Sequence, residues 1–129
     1  MIAIDANAAI ALLVDEAELG AASRRLYAEH DLVAPDLLPY EVSSVLRKLV
    51  HLGAVAERTA RAALRDLGLV RLEAVPHGDI VLRMWSLRDS LSAYDAAYVA
   101  VAELFDVPLL TFDGRIRRSS GPTCQFVDV

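Results

Sequence analysis

The sequence predicts an α/β fold, with a mostly parallel sheet covered by helices on both faces. Three observations carry this expectation. Short apolar runs alternate with helical stretches long enough to cross a sheet. The runs are continuous rather than alternating polar and apolar, as strands buried on both faces are. The length of 129 residues suits one domain, spanning 1–129, around one core.

The elements follow in order. "IAID" at residues 2–5 reads as a central strand ending in an acid. "NAAIALLV" from Asn7 reads as a helix, with Asn7 as its N-cap. "ELGAASRRLYAE" continues as a second helix, with Gly20 weakening its first turn. "LVAP" at residues 32–35 is a second strand. Pro35 and Pro39 then frame a long helix over about residues 37–51, which Gly53 ends. "AVAERTARAALRDLG" is a helix stopped by Gly68, and "LVRLEAV" a third strand. "HGDIVLRMWSLRDS" reads as helical, and so does the stretch from Leu91, with Ser92 as cap. "VPLLTF" from Val107 is a late strand, and "CQFVDV" a final edge strand.

Composition narrows the function. Apolar residues make up 55% of the chain, far from a disordered composition. A net charge of -5 argues against indiscriminate coating of nucleic acid, though not against recognition by a local basic patch. Cys124 is alone and the three histidines are dispersed, so neither an internal disulfide nor a tetrahedral zinc site is expected. No positive charge precedes an apolar leader, and no apolar run approaches the roughly 20 residues of a membrane span. A soluble protein of a reducing compartment, the cytoplasm, is expected.

Four acids stand out. Asp5 closes the first strand, and Asp113 follows the late strand in "LLTFD". Parallel strands would bring both to one sheet edge, where sites form in open α/β folds. Glu41 and Asp95 stand in the first turns of helices leaving that edge. Glu41 shares a stripe with Val45 and Leu49, and Asp95 shares one with Tyr98, Val99 and Ala102. Each acid has a plainer reading as a helix cap, dipole partner or turn residue. As a set they converge, and four unneutralised carboxylates repel and raise one another's pKa. A hard divalent cation with oxygen ligands removes the conflict, and Mg²⁺ or Mn²⁺ fits better than zinc. Such a centre suits phosphodiester hydrolysis, by activating water and offsetting charge on phosphate. No covalent nucleophile is evident, because Ser43, Ser44 and Ser92 lack a histidine at motif spacing. A phosphoacceptor receiver domain would need an acid after the middle strand and a late lysine, whereas Lys48 is the only lysine. An aspartyl phosphatase would want a second acid where Asn7 stands.

These segments together resemble PIN-domain ribonucleases, specifically the VapC-type toxins of toxin–antitoxin pairs. The similarity spans almost the whole chain. "IAIDANAAIALLVDE" aligns Asp5 with the first family acid and Asn7 with a small polar residue two positions on. "PDLLPYEVSSVLRK" aligns Glu41 with the second. "LSAYDAAYVAVAELFDVPLLTFD" aligns Asp95 and Asp113 with the third and fourth, with Thr111 as polar neighbour. The resemblance implies a three-layer α/β/α fold and Mg²⁺- or Mn²⁺-dependent endonucleolytic cleavage of RNA, transfer or ribosomal. It also implies a VapB-like antitoxin and a toxin homodimer.

Asp5, Asp95 and Asp113 are the first candidates for metal ligands; Glu41 is either a further ligand or the residue that positions the attacking water. Asn7, Ser92 and Thr111 are candidates to orient these carboxylates by hydrogen bonds. Arg115, Arg117 and Arg118, just past Asp113, are candidates to grip RNA phosphates or to meet an antitoxin. Tyr40, Tyr94 and Tyr98 are expected to pack, with their hydroxyls at the rim. The 12–14 region and "AYVAVAEL" are expected to offer apolar surface for dimerisation. Two other classes remain beside the ribonuclease: a metal-dependent nuclease acting on DNA, and an inactive PIN-like binding module.

Overall fold

The computed structural model describes residues 1–129. Its four-stranded sheet has the order β3-β2-β1-β4, and every pairing is parallel. β1 (Ile2–Ile4) is buried throughout. Ile2 lies opposite Leu32 of β2 (Leu32–Pro35), and Ala3 opposite Leu109 of β4 (Leu109–Leu110). β3 (Leu72–Val75) forms the outer edge, with Glu73 and Ala74 exposed.

The chain leaves β1 through α1 (Ala6–Val14) and α2 (Glu18–Glu29) and returns in β2. It leaves β2 through α3 (Leu38–His51) and α4 (Glu57–Leu67) and returns in β3. Both steps move outward in one direction. A short 3₁₀ turn (His77–Asp79), α5 (Val81–Ser86) and α6 (Ala93–Phe105) then carry the chain back across the sheet to β4, and α7 (Gly114–Arg118) follows. Right-handed crossovers place helices of opposite travel on opposite faces. Accordingly α1 packs on α2, α3 and α4, while α6 packs on β1, β2 and β4 and supports α5. The result is the three-layer α/β/α arrangement expected, around a core cluster of 28 buried residues. No helix is long and apolar enough to cross a membrane.

The middle of α6, residues 96–102, is buried on every side. Alanines at 96, 97, 100 and 102 let it lie close to the strands. Its C-terminus turns at Asp106, in the left-handed region at φ 52°, directly into the segment that feeds β4. The N-terminus of α6 therefore stands at the carboxyl edge of the sheet.

Several local expectations change. The N-cap of α1 is Asp5, whose Oδ1 accepts from the Ala8 amide at 2.8 Å; Asn7 is already inside the helix and exposed. Gly20 is required rather than merely tolerated, because a Cβ there would collide with the Asp15 carbonyl where α2 crosses the end of α1. The expected helix over residues 77–90 breaks at Ile80, whose buried side chain, with that of Leu87, pins both ends of a shorter α5. β4 shrinks to two residues. The tail is no full strand: the edge of so short a β4 offers it only Leu109, which exchanges backbone hydrogen bonds with Gln125 and Val127 around a parallel bridge to Phe126. Most of the two stretches expected to offer a dimer face lies inward, with Leu12 and residues 96–102 buried; Leu104 at the end of the second is exposed, and further exposed apolar side chains include Leu82 and Trp85 of α5.

Candidate functional site

The strand order reverses its direction of travel between β1 and β4. In open α/β sheets this switch point opens a crevice beyond the carboxyl ends of the strands. Asp5 stands at the end of β1, and Thr111 and Asp113 just beyond β4. α3 leaves the same edge from β2 with Glu41 in its first turn, and α6 begins there with Asp95 in its first turn.

Asp5 is 4% exposed and both of its oxygens are engaged. Oδ1 caps α1, and Oδ2 accepts a short hydrogen bond from the Thr111 hydroxyl. The same hydroxyl oxygen accepts from the Asp113 amide at 3.0 Å. Thr111 thus ties the first and last of the four acids together across two strands. Burial raises the Asp5 pKa above its ordinary value, the hydrogen bonds from Thr111 and Ala8 oppose the rise, and the charges of Asp113 and Asp95 add to it.

Glu41 is half-buried and its pKa is also raised, first by burial and then by the charge of Asp95, with Asp5 adding a smaller push. Its Oε1 is fully shielded from solvent and has no hydrogen-bond partner. Asp95 is half-buried, and the cap of α6 is the Ser92 hydroxyl, which accepts from the Asp95 amide at 3.2 Å. The Asp95 carboxylate is therefore not what caps its helix. Asp113 is half-buried and caps α7. It is bound by Arg115 through the backbone amide at 2.8 Å and through the guanidinium at 3.2 and 2.8 Å. Those hydrogen bonds from Arg115 hold its pKa below the usual carboxylate range, against a smaller rise from burial.

All four acids thus reach one edge, where the charges of Asp113 and Asp95 bear on Asp5 and those of Asp95 and Asp5 on Glu41. They do not form a closed cage: no three His, Cys, Asp or Glu side chains stand ready to grip an ion. The physical reason is visible in their partners. Asp113 is turned onto Arg115, and Asp5 is held by Ala8 and Thr111, so repelling carboxylates are spread apart and partly neutralised by a guanidinium. The donor set still fits a hard cation, being all oxygen, and Oε1 of Glu41 is a buried oxygen with no hydrogen-bond partner, such as a cation would satisfy.

The remaining predicted residues divide. Asn7 is exposed one turn from the acids on α1. Arg115 is mostly exposed at the rim. Arg117 is turned toward the tail, donating to the Val127 carbonyl at 3.1 Å with its guanidinium over the Phe126 ring. Arg118 is exposed and folds back over Gly114. Tyr40 and Tyr94 are exposed, but Tyr98 is not at the rim: it is 2% exposed, and its hydroxyl is buried. The signal for that lay in its spacing, three residues beyond Asp95 on the same inward side of α6.

The PIN domain family matches residues 2–121. The chain belongs to the PIN-domain family. Across its full length this PIN domain is 37% identical to ribonuclease VapC9 of Mycobacterium tuberculosis (strain H37Rv), covering 98% of that protein. It is 37% identical to ribonuclease VapC1 of the same organism, over 95% of this chain and 92% of that one. The fold is shared with M. tuberculosis VapC20, described as a sarcin-ricin loop cleaving toxin, at a TM-score of 0.71 and 20% identity over 100% of this chain and 98% of that chain. It is shared too with the VapBC2 structure from Rickettsia felis, bound to a fragment of its promoter DNA, at a TM-score of 0.70 and 14% identity over 98% of each chain.

Proposed function

We propose that this PIN domain is a Mg²⁺- or Mn²⁺-dependent endoribonuclease, the toxin of a type II toxin–antitoxin pair, acting on transfer or ribosomal RNA. The observation that carries the reading is the meeting of Asp5, Glu41, Asp95 and Asp113 at the switch crevice, with Asp5 and Glu41 raised in pKa first by burial and then by the charges of neighbouring acids. Relatives of nearly equal length that are named ribonucleases support the choice of RNA.

A bound cation would be held by Asp5, Asp95 and Asp113, with Glu41 beside them, and would supply Lewis-acid stabilisation of charge on the phosphate. The chain's own groups do the rest. Thr111 fixes the orientation of Asp5. Glu41, raised by burial and by Asp95, is better placed than an ordinary carboxylate to take a proton from an attacking water. Arg115, mostly exposed beside Asp113, presents a fork to a flanking phosphate, and Arg118 extends the positive rim, while Arg117 would have to leave the tail to join it. The same rim and acids would meet a VapB-like antitoxin, and the working unit is a homodimer in the cytoplasm.

The test is digestion of RNA and DNA side by side by purified protein, with EDTA, Mg²⁺ or Mn²⁺. RNA cut only with metal is the expected result. Equal cutting of DNA would move the reading to a general nuclease. Absence of cutting, together with absence of metal binding, would make this a PIN-like binding module.

A further inference from the structure

Two side-chain oxygens in this protein are fully buried without a hydrogen-bond partner, and both are at one place: Glu41 Oε1 and the Tyr98 hydroxyl. Elsewhere the buried polar groups are met. Ser23 donates to the Leu19 carbonyl at 2.8 Å, and Thr111 and Asp5 satisfy each other. A buried hydroxyl left unmet carries a desolvation penalty, and a phenylalanine would fill nearly the same volume without it. Tyr98 sits deep in α6, with its ring in the core and its hydroxyl beneath the acids. The phenol is near enough to the Glu41 carboxyl to lower its pKa as a donor does, though the pair falls short of hydrogen-bond geometry, and the charges of Asp5 and Asp95 also reach the phenol.

We propose that Tyr98 is a positioning residue of this site, whose hydroxyl donates to the Glu41 carboxylate and fixes it toward Asp5 and Asp95 when a divalent cation is bound. The proposal rests on the metal-dependent reading above. The phenol, its hydroxyl buried beside Glu41 and away from solvent, serves as a donor and has no role as acid or base. One donor and one carboxylate oxygen, both dry, form a strong and directional pair once they close. Glu41 needs that help more than the other acids do. Asp5 is held by two hydrogen bonds and Asp113 by Arg115, whereas no group stands in hydrogen-bond geometry with Oε1 of Glu41.

The test is Tyr98→Phe in the full chain, read by calorimetric Mn²⁺ titration beside thermal unfolding. The expected result is a Mn²⁺ affinity weakened by roughly ten- to a hundredfold, the usual size for losing an orienting partner, with a melting temperature unchanged or raised. In Glu41→Gln, adding Tyr98→Phe should weaken Mn²⁺ binding no further, because the two act as one unit. Unchanged Mn²⁺ affinity in Tyr98→Phe, or independent losses in the double variant, would overturn the proposal while leaving the nuclease reading intact. Failure of the wild-type protein to bind Mn²⁺ would overturn both. Should the phenylalanine variant not fold, ¹⁹F spectra of 3-fluorotyrosine-labelled protein serve instead. The Tyr98 resonance should shift on adding Mg²⁺ in the wild type and not in Glu41→Gln, and a resonance indifferent to Mg²⁺ would overturn the proposal.

Discussion

Two partly buried glutamates on opposite sides of the molecule are treated in opposite ways. Glu103, on α6, receives Arg83 through Nε at 2.5 Å and Nη2 at 3.1 Å, and the Thr123 amide at 2.6 Å. Arg83 also donates to the Gly121 carbonyl at 2.8 Å, so α5, α6 and the tail are fastened at one point. Burial raises the Glu103 pKa, but the hydrogen bonds from Arg83 and Thr123 outweigh it and hold the carboxyl below its ordinary value. Glu41 has no cation beside it. Burial and the Asp95 charge push its carboxyl upward, and one oxygen has no partner. A fold that can satisfy one buried acid so completely leaves the other wanting at the place where four acids gather. That contrast is the one expected between a carboxylate used for structure and, on the function proposed above, one kept for a ligand.

The contrast can be broken most easily at Asp95. Asp95→Asn should lower RNA cutting at saturating Mn²⁺ by about a hundredfold or more, the scale for losing one preorganised charged group. The melting temperature should hold or rise, since the charge that raises Glu41 and Asp5 is gone. Full activity in that variant would remove Asp95 from the site. Glu103→Gln should do the reverse. It should lose about 1–3 kcal/mol in denaturant unfolding, below the range for a fully buried pair because Arg83 is partly exposed. Its Mn²⁺ titration should be unchanged, and a weakened one would blur the division between the two acids.

Arg115→Glu sharpens the rim. RNA affinity should fall by roughly three- to tenfold, as for losing a phosphate contact, while Mn²⁺ affinity changes less. Constant RNA affinity, measured by filter binding with Ca²⁺ in place of Mg²⁺, would end the role assigned to Arg115.

The smallest effect is in pH. Glu41 has a folded pKa above its unfolded one, so the stability it contributes is complete in acid and is lost as pH rises through the folded value. Glu41→Gln should therefore be the more stable protein at neutral pH and should converge on the wild type below pH 4.5, the ordinary glutamate value. For Glu103 the sign is opposite. Its contribution is present at neutral pH and is lost as pH falls through the lowered folded value, so the deficit of Glu103→Gln should shrink in acid. Urea unfolding of both variants from pH 7 downward reads the two signs, and parallel curves would contradict both.

The acids were legible in the sequence because each ends a strand or opens a helix, and a parallel sheet sends all such positions to one edge. The strands and most helix limits were legible for the same reason of periodicity and punctuation. What escaped depended on three-dimensional partners. Nothing local reveals that Ile80 must turn inward and break a helix, or that Leu109 alone would meet the tail. Asn7 is a better-looking cap than Asp5 until the strand is known to end at Ile4. The Arg83–Glu103 pair joins residues 20 positions apart and has no motif. Tyr98 was legible as core, yet its orphaned hydroxyl became visible only when α3 brought Glu41 over it.

Asp5 follows the last residue of β1, caps α1, and carries a carboxylate to the crevice, all with one side chain. Truncating it to alanine would silence the protein for two unrelated reasons at once, since a lost helix cap alone costs about 1 kcal/mol. Asparagine keeps an oxygen for the Ala8 amide while removing the charge and the acceptor that Thr111 uses. A mutational survey that scored position 5 by alanine alone would therefore mistake scaffolding damage for lost chemistry, and the pair of variants read together is what tells them apart.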